Sequence, residues 1–222
     1  MPPPQNGPPG HMSDNSDWWS RLRTDDSDES MPIQEREPAP SNFLILNIDL
    51  TNSLFNKAAA KLGKAPIVER GDGATGRSQV CYVSPQGPEK IHLVFENGEV
   101  SDSFYLFVGG PDWKGSDLCV KSSLVTKDLS IASGLRLEQT PSEVRGILGK
   151  PSAAIGNKLT YSYAVEKKSS NEDIERLRRQ HPELSDEDLR RNYESYYLSV
   201  YIEARFAQSG LNYLTVSRAE TY

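Results

Sequence analysis

The 222-residue sequence lacks the features that identify several common classes of protein. Its net charge is −6, with 25 basic and 31 acidic side chains, and general nucleic-acid binding requires a basic surface instead. Its longest apolar stretch, Phe43–Ile48, is interrupted by Asn47, whereas a transmembrane helix needs about 20 apolar residues. We therefore expect neither a nucleic-acid partner nor a membrane span.

The sequence also has little of what catalysis and metal binding need. Its three histidines, His11, His92 and His181, lie far apart, and none belongs to a metal-binding motif. We expect His92 to be a surface residue of a strand. No serine lies in a nucleophile-elbow motif, and neither cysteine has a base near it in sequence. These observations predict a protein that is not an enzyme and binds no metal or cofactor.

Residues 1–40 differ in composition from the rest of the chain. They carry eight acidic and three basic side chains, and eight of the 15 prolines. A segment with few apolar residues and excess charge cannot offset the entropy lost on ordering, so we expect a disordered tail. Trp18 and Trp19 within it form either a short docking motif or an incidental apolar island. The start of the chain has no signal-peptide pattern.

The two cysteines, Cys81 and Cys119, both lie in segments that are predicted as strands. Their spacing fits neither a redox motif nor a zinc site. From the residues alone, the pair is either one disulfide or two buried thiols.

A helix with the same ending occurs twice, 86 positions apart. The first helix has its apolar stripe at Leu54, Phe55, Ala58 and Leu62 and ends at Gly63. The second begins with the capping pattern Thr140-Pro141-Ser142-Glu143 and ends at Gly149. Runs of alternating residues follow each helix and predict antiparallel strands.

These patterns predict an α+β fold of two tandem repeats, each a short helix packed on one face of an antiparallel meander. Repeat 1 covers residues 41–130 and repeat 2 covers residues 131–222. After the first helix we predict strands at Gln79–Ser84, Glu89–Glu96, Glu99–Val108 and Leu118–Thr126, with Asn97-Gly98 as a hairpin turn. After the second helix we predict strands at Lys158–Val165, Tyr196–Phe206 and Leu211–Ser217.

Repeat 2 also contains a charged insertion at residues 166–195. Nine acidic and seven basic side chains occupy its thirty positions. Ile174 and Leu177 predict one helix, Pro182 ends it, and Ser185 caps another. The insertion is either a decorated hairpin loop, which we favour, or a docking surface.

The repeated helix ending, together with the segment from Gly134 through Pro151 and on to Leu159-Thr160-Tyr161-Ser162-Tyr163, resembles the β-lactamase-inhibitor-protein-like fold. This resemblance covers about residues 43–222. It implies a bacterial envelope or extracellular setting, hence a periplasmic or secreted protein, and a role in binding another protein. It also implies a disulfide between Cys81 and Cys119. The absence of a lipobox cysteine leaves a lipid anchor unsupported, and the charged insertion departs from the family pattern.

Alternation along the predicted strands places several aromatic side chains on the sheet face away from the helices. These side chains belong to Tyr105, Phe107, Tyr197, Tyr201 and Tyr213. Tyrosine combines rigid contact area with a hydrogen-bonding tip and is common in binding hot spots. The aromatic face is thus a candidate protein-binding surface, and Trp113 in a loop is a further candidate anchor. The alternative is that strands simply favour tyrosine and that other segments cover this face.

We therefore predict a non-enzymatic protein-binding module, acting as an enzyme inhibitor or an assembly factor through this aromatic face. Two alternatives remain from the sequence. One is a small enzyme or ligand-binding protein whose site forms only in three dimensions. The other is a cytosolic regulatory protein, which would have free thiols in place of a disulfide.

Overall fold

The computed structural model describes residues 31–50, 53–70, 76–87, 89–98, 101–109 and 118–222. The helices are α1 (Leu54–Leu62), α2 (Pro141–Leu148), α3 (Asn171–Gln180) and α4 (Asp186–Asn192), and a short 3-10 helix spans Pro40–Phe43. The strands are β1 (Leu44–Ile45), β2 (Ile48–Asp49), β3 (Val68–Arg70), β4 (Arg77–Val83), β5 (Lys90–Gly98), β6 (Ser101–Gly109), β7 (Val120–Lys121), β8 (Ala153–Ile155), β9 (Lys158–Lys168), β10 (Ser195–Ala207) and β11 (Gly210–Thr221).

One sheet unites both predicted halves of the chain. Its strand order is β3-β4-β5-β6-β11-β10-β9-β8. The short strand β7 pairs in parallel with the end of β4, on the same edge of β4 as β3. The two halves meet in the middle of the sheet, where Leu106 of β6 pairs with Leu214 of β11. The fold is α+β, as predicted. The order of strands outward from the centre is the same in both halves, while descent from a duplication stays a prediction.

The predicted start of α2 and the predicted glycine ends of α1 and α2 are present. In α2, the Thr140 hydroxyl accepts from the backbone N–H of Glu143, and the Glu143 carboxylate accepts from the backbone N–H of Thr140. This capping box satisfies two donors that would otherwise have no partner. Both helices end at a glycine with positive φ, Gly63 at 97° and Gly149 at 84°.

The two helix ends are held by the sheet in the same way. The hydroxyl of Tyr82 on β4 donates to the backbone oxygen of Gly63 at 2.9 Å, and that of Tyr161 on β9 donates to the backbone oxygen of Gly149 at 3.4 Å. Both tyrosines are fully buried, and burial raises the pKa of Tyr161 to about 12. Each C-terminal glycine is thus tied to the second strand after its helix.

The core lies between the sheet and the helices, and it combines residues of both halves. Leu54, Ala58 and Leu62 of α1, with Val144 and Leu148 of α2, pack in one cluster with the alternating strand residues predicted to face the core. Burial of this common apolar face is the main force that stabilises the fold. The halves are therefore parts of one packed unit.

Two strand predictions are wrong. Asn97 and Gly98 belong to β5 and form no turn, because Asn97 pairs with Asp102 and its amide donates to the Asp102 carboxylate at 2.6 Å. The connection to β6 lies at positions 99–100, outside the described residues. The predicted strand Leu118–Thr126 is reduced to the two residues of β7, and hydrogen-bonded turns follow it.

The insertion forms a helical hairpin between β9 and β10, as its capping pattern predicted. Ser170 caps α3 and Ser185 caps α4. Ile174, Leu177 and Leu189 form a separate buried cluster between the two helices. The strands on either side run up to it, since Lys168 still pairs with Ser195.

The last ten residues of the predicted tail contact the fold. Gln34 exchanges backbone hydrogen bonds with Ser162 and Ala164, alongside the free edge of β9. Glu37 pairs with Lys167, and Pro38 is buried. Residues 1–30, with Trp18 and Trp19, lie outside the described residues.

Candidate functional site

The sheet has a reverse face, which points away from α1 and α2. These helices pack on the core side. The α3–α4 hairpin is linked to the same side, because Arg176 of α3 forms an ion pair with Glu220 of β11. Glu220 is the cross-strand neighbour of the core residue Leu198, so the two share a face. Among the described residues, no helix packs on the reverse face. The reverse face has two parts, which differ in burial.

The first part, here called the covered half, is buried. Its apolar residues are the cluster Cys81, Val94, Tyr105, Phe107 and Tyr213. The expectation that Tyr105, Phe107 and Tyr213 are exposed is wrong, since their exposed fractions are only 5%, 3% and 5%. Their rings pack against one another, with the Tyr213 centroid 6.5 Å from that of Tyr105 and 6.3 Å from that of Phe107. Trp113 lies outside the described residues.

The disulfide lies beside this cluster. Cys81 of β4 is bonded to Cys119, which immediately precedes β7, and their Cα atoms are 4.5 Å apart. The paired cysteines are consistent with an oxidising compartment. The bond fixes the start of β7 against the covered half.

His92 also belongs to the covered half, contrary to the expectation of a surface position. It is 1% exposed and its ring stacks on Phe107 at a centroid distance of 5.0 Å. Burial lowers the pKa of His92 to about 4. Gly109 fits beside it because a Cβ there would lie 2.5 Å from the imidazole Cε1. Alternation along β5 puts His92 on the same face as Val94, but a strand pattern cannot show that this face is covered.

Two buried glutamates flank the covered half, and neither was predicted as a site residue from the sequence. Glu96 on β5 is 2% exposed and accepts hydrogen bonds from Arg77, Gln79 and the Tyr105 hydroxyl. A buried carboxylate requires such partners, because desolvation penalises the charge. An acidic residue that continues the alternation of a strand directly after an apolar run was the available sequence signal.

The second glutamate, Glu203 on β10, is also 2% exposed. It accepts from the Tyr201 hydroxyl at 2.8 Å and forms an ion pair with Arg205. The Arg205 guanidinium lies 4.3 Å from the centroid of the Tyr213 ring, so it also makes a cation–π contact with the covered half. Burial and the Glu203 charge raise the pKa of Tyr201.

The second part of the reverse face, here called the open patch, is accessible. Tyr197 is 57% exposed and Tyr201 is half-buried. Small, partly exposed side chains surround them on the neighbouring positions of β9, β10 and β11: Ser162, Ala164, Ser199, Ser217 and Ala219. Cross-strand neighbours lie on the same face, so these residues form a shallow floor beside the two tyrosine rings. Of the five predicted aromatic strand residues, only Tyr197 and Tyr201 thus remain accessible.

The two glutamates do not form a paired-carboxylate site. They lie on β5 and β10, three strand spacings apart, which separates their backbones by roughly 14 Å. Carboxylate pairs in glycosidases are separated by about 5–9.5 Å. Moreover, Glu96 is bound to side chains of β4, on the side away from β10.

Two further features of the described residues bear on function. No three histidine, cysteine or carboxylate side chains among them cluster as metal ligands would. None of the helices in this part of the chain is long and apolar enough to cross a membrane.

Comparison of the chain with models of protein families, with curated proteins and with solved structures gave no match. The resemblance to the β-lactamase-inhibitor-protein-like fold therefore stays an expectation, and any function must be argued from the geometry of the sheet.

Proposed function

We propose that the chain is a non-enzymatic protein-binding module that acts through the open patch. The observation that carries the proposal is the exposure of Tyr197 beside a floor of serine and alanine, on a sheet face where no helix of the described chain packs. Exposed aromatic side chains next to a shallow surface are typical of protein-binding sites.

The chemistry of the open patch indicates what kind of contact it makes. Its floor contains hydroxyl and methyl groups, and the only charged side chain in register with Tyr197 is Glu166 at the rim. The partner is therefore a protein that inserts an apolar side chain or loop beside Tyr197 and forms hydrogen bonds to the serines. Such a contact depends weakly on salt, because few charges take part.

Other observations support binding over catalysis. The buried glutamates are each engaged by cations and hydroxyls and lie far apart. Enzyme sites instead bring titratable groups together in a cleft. The disulfide favours a periplasmic or secreted setting over the cytosol.

The test compares two tyrosine variants, Tyr197→Ala and Tyr222→Ala. Tyr222 is 43% exposed but contacts Arg176 and Tyr196 on the helix side, so it serves as a matched control. Partners captured from the native source by the wild-type protein should be retained by Tyr222→Ala. Tyr197→Ala should weaken their binding at least tenfold, since a hot-spot residue contributes about 2 kcal/mol or more.

Binding constants should be measured for the captured protein at 50 and 500 mM salt. Equal binding by Tyr197→Ala and the wild type, with both folded, contradicts the proposal. A steep loss of affinity at high salt contradicts the apolar character assigned to the contact.

A further inference from the structure

A cavity of about 340 Å³ lies on the helix side of the sheet, where the segment preceding β1 passes α2 and β9. Its volume is in the range of small-molecule sites in proteins. Its wall includes Arg36, Asn42, Ser133, Ile147, Leu148 and Tyr163. It is separate from the open patch, because the Tyr163 ring belongs to the core cluster on the opposite side of the sheet.

Arg36 contributes a cation to the wall of this cavity. The Arg36 guanidinium lies 5.3 Å from the centroid of the Tyr163 ring, and its Nε and Nη2 atoms donate to the Gln34 side-chain oxygen at 3.1 Å. Within the described chain, no carboxylate forms an ion pair with it. The adjacent residue Glu37 forms its ion pair with Lys167.

A polar group inside the cavity has unused hydrogen-bonding capacity. Among the described residues, the buried Ser133 hydroxyl oxygen has no hydrogen-bond partner. Buried polar groups in proteins are almost always hydrogen-bonded, so this hydroxyl indicates a ligand or solvent position beside it. Asn42, which is only 7% exposed, lines the same cavity.

Part of the wall is apolar, and Ser41 is a further polar residue in it. Leu148 is buried, and Ile147 packs against the core beside it. One cation, neutral hydrogen-bonding groups and two aliphatic side chains complement a molecule that has one negative charge and a short hydrocarbon part.

We propose that this cavity is a binding site for a small carboxylate with a short apolar chain. The planar guanidinium of Arg36 pairs with the carboxylate, the Asn42 amide and Ser133 hydroxyl donate to its oxygens, and the alkyl group lies on Ile147 and Leu148. A single arginine matches the one charge of a carboxylate better than the nearly two charges of a phosphate group.

The experiment titrates the full chain with sodium propionate and follows backbone amide resonances by NMR at constant ionic strength. We expect saturable shifts at Asn42 and Ser133, and at least tenfold weaker binding of propionamide, which has the same shape without the charge. Equal responses to the two compounds, no saturation up to about 50 mM, or tighter binding of inorganic phosphate would each overturn the proposal.

Three variants assign the site. Arg36→Gln should weaken propionate binding at least tenfold, whereas Arg145→Gln removes an exposed cation of α2 outside this cavity and should not change it. Asn42→Asp keeps the shape of the wall but adds a negative charge, so it should abolish propionate binding. This variant tests the site independently if Arg36→Gln alters the structure of the segment before β1. A loss in Arg145→Gln equal to that in Arg36→Gln, or retained binding in folded Asn42→Asp, contradicts the assignment.

Discussion

At the scale of single residues, His92 should make the stability of the protein depend on pH. Its pKa is about 4 in the folded protein, lowered by burial, against about 6.5 in the unfolded chain. Between these values the unfolded state binds more protons, so stability falls as the pH decreases from 6.5 toward 4. At 1.36 kcal/mol per pKa unit, the loss of stability from pH 7.5 to 4.5 is about 2–3 kcal/mol.

Urea unfolding at the two pH values measures this effect. His92→Gln should reduce the pH-dependent loss by about 2–3 kcal/mol relative to the wild type. His181→Gln replaces a partly exposed histidine in the turn after α3 and should leave most of the loss unchanged. An identical pH dependence in His92→Gln and the wild type would show that His92 is not held neutral.

Single residues also show what could not be predicted from the sequence. Alternation placed Tyr105 and Tyr197 on one face, and both do lie on the reverse face. It could not show that Tyr105 is 5% exposed and Tyr197 57%, because burial depends on segments that are distant in sequence. Glu96 and Asn42 were missed for the same reason, since their partners or cavities are assembled from separate elements.

At the scale of elements, the helical hairpin should be removable. Its apolar residues pack in their own cluster, and Ser169 donates its backbone N–H to Glu194, so the strands already meet beneath it. Replacing residues 170–193 by Asn-Gly supplies a type I′ turn between these two positions. We expect the sheet to be retained with a loss of about 1–2 kcal/mol, because mainly the contacts of Arg176 and Tyr193 with the C-terminus disappear.

Amide resonances of β10 and β11 would measure the outcome. Unchanged resonances of Val200 and Leu214 are expected, whereas loss of the folded spectrum would mean that the hairpin is part of the core. Local signals correctly predicted this hairpin, the capped start of α2 and the glycine ends of α1 and α2, since caps depend on a few neighbouring residues. The Asn97-Gly98 turn failed because strand pairing with β6 decided the register instead.

At the scale of the whole molecule, the shared sheet and core predict one cooperative unfolding transition. Leu106 on β6 and Leu189 on α4 are both fully buried, but Leu106 packs in the core common to both halves and Leu189 in the hairpin cluster. Leu106→Ala should cost about 2–5 kcal/mol and reduce hydrogen-exchange protection in both halves equally.

Leu189→Ala is the matched control, because it deletes the same atoms from an equally buried position. It should increase exchange in α3 and α4 while leaving the protection of β6 and β11 in place. If Leu106→Ala lowered protection only in β4, β5 and β6, the halves would unfold independently. An equal loss of protection in β10, which belongs to the other predicted repeat, would show that the pairing of β6 with β11 couples the two halves. We expect this result because both halves are buried in one core.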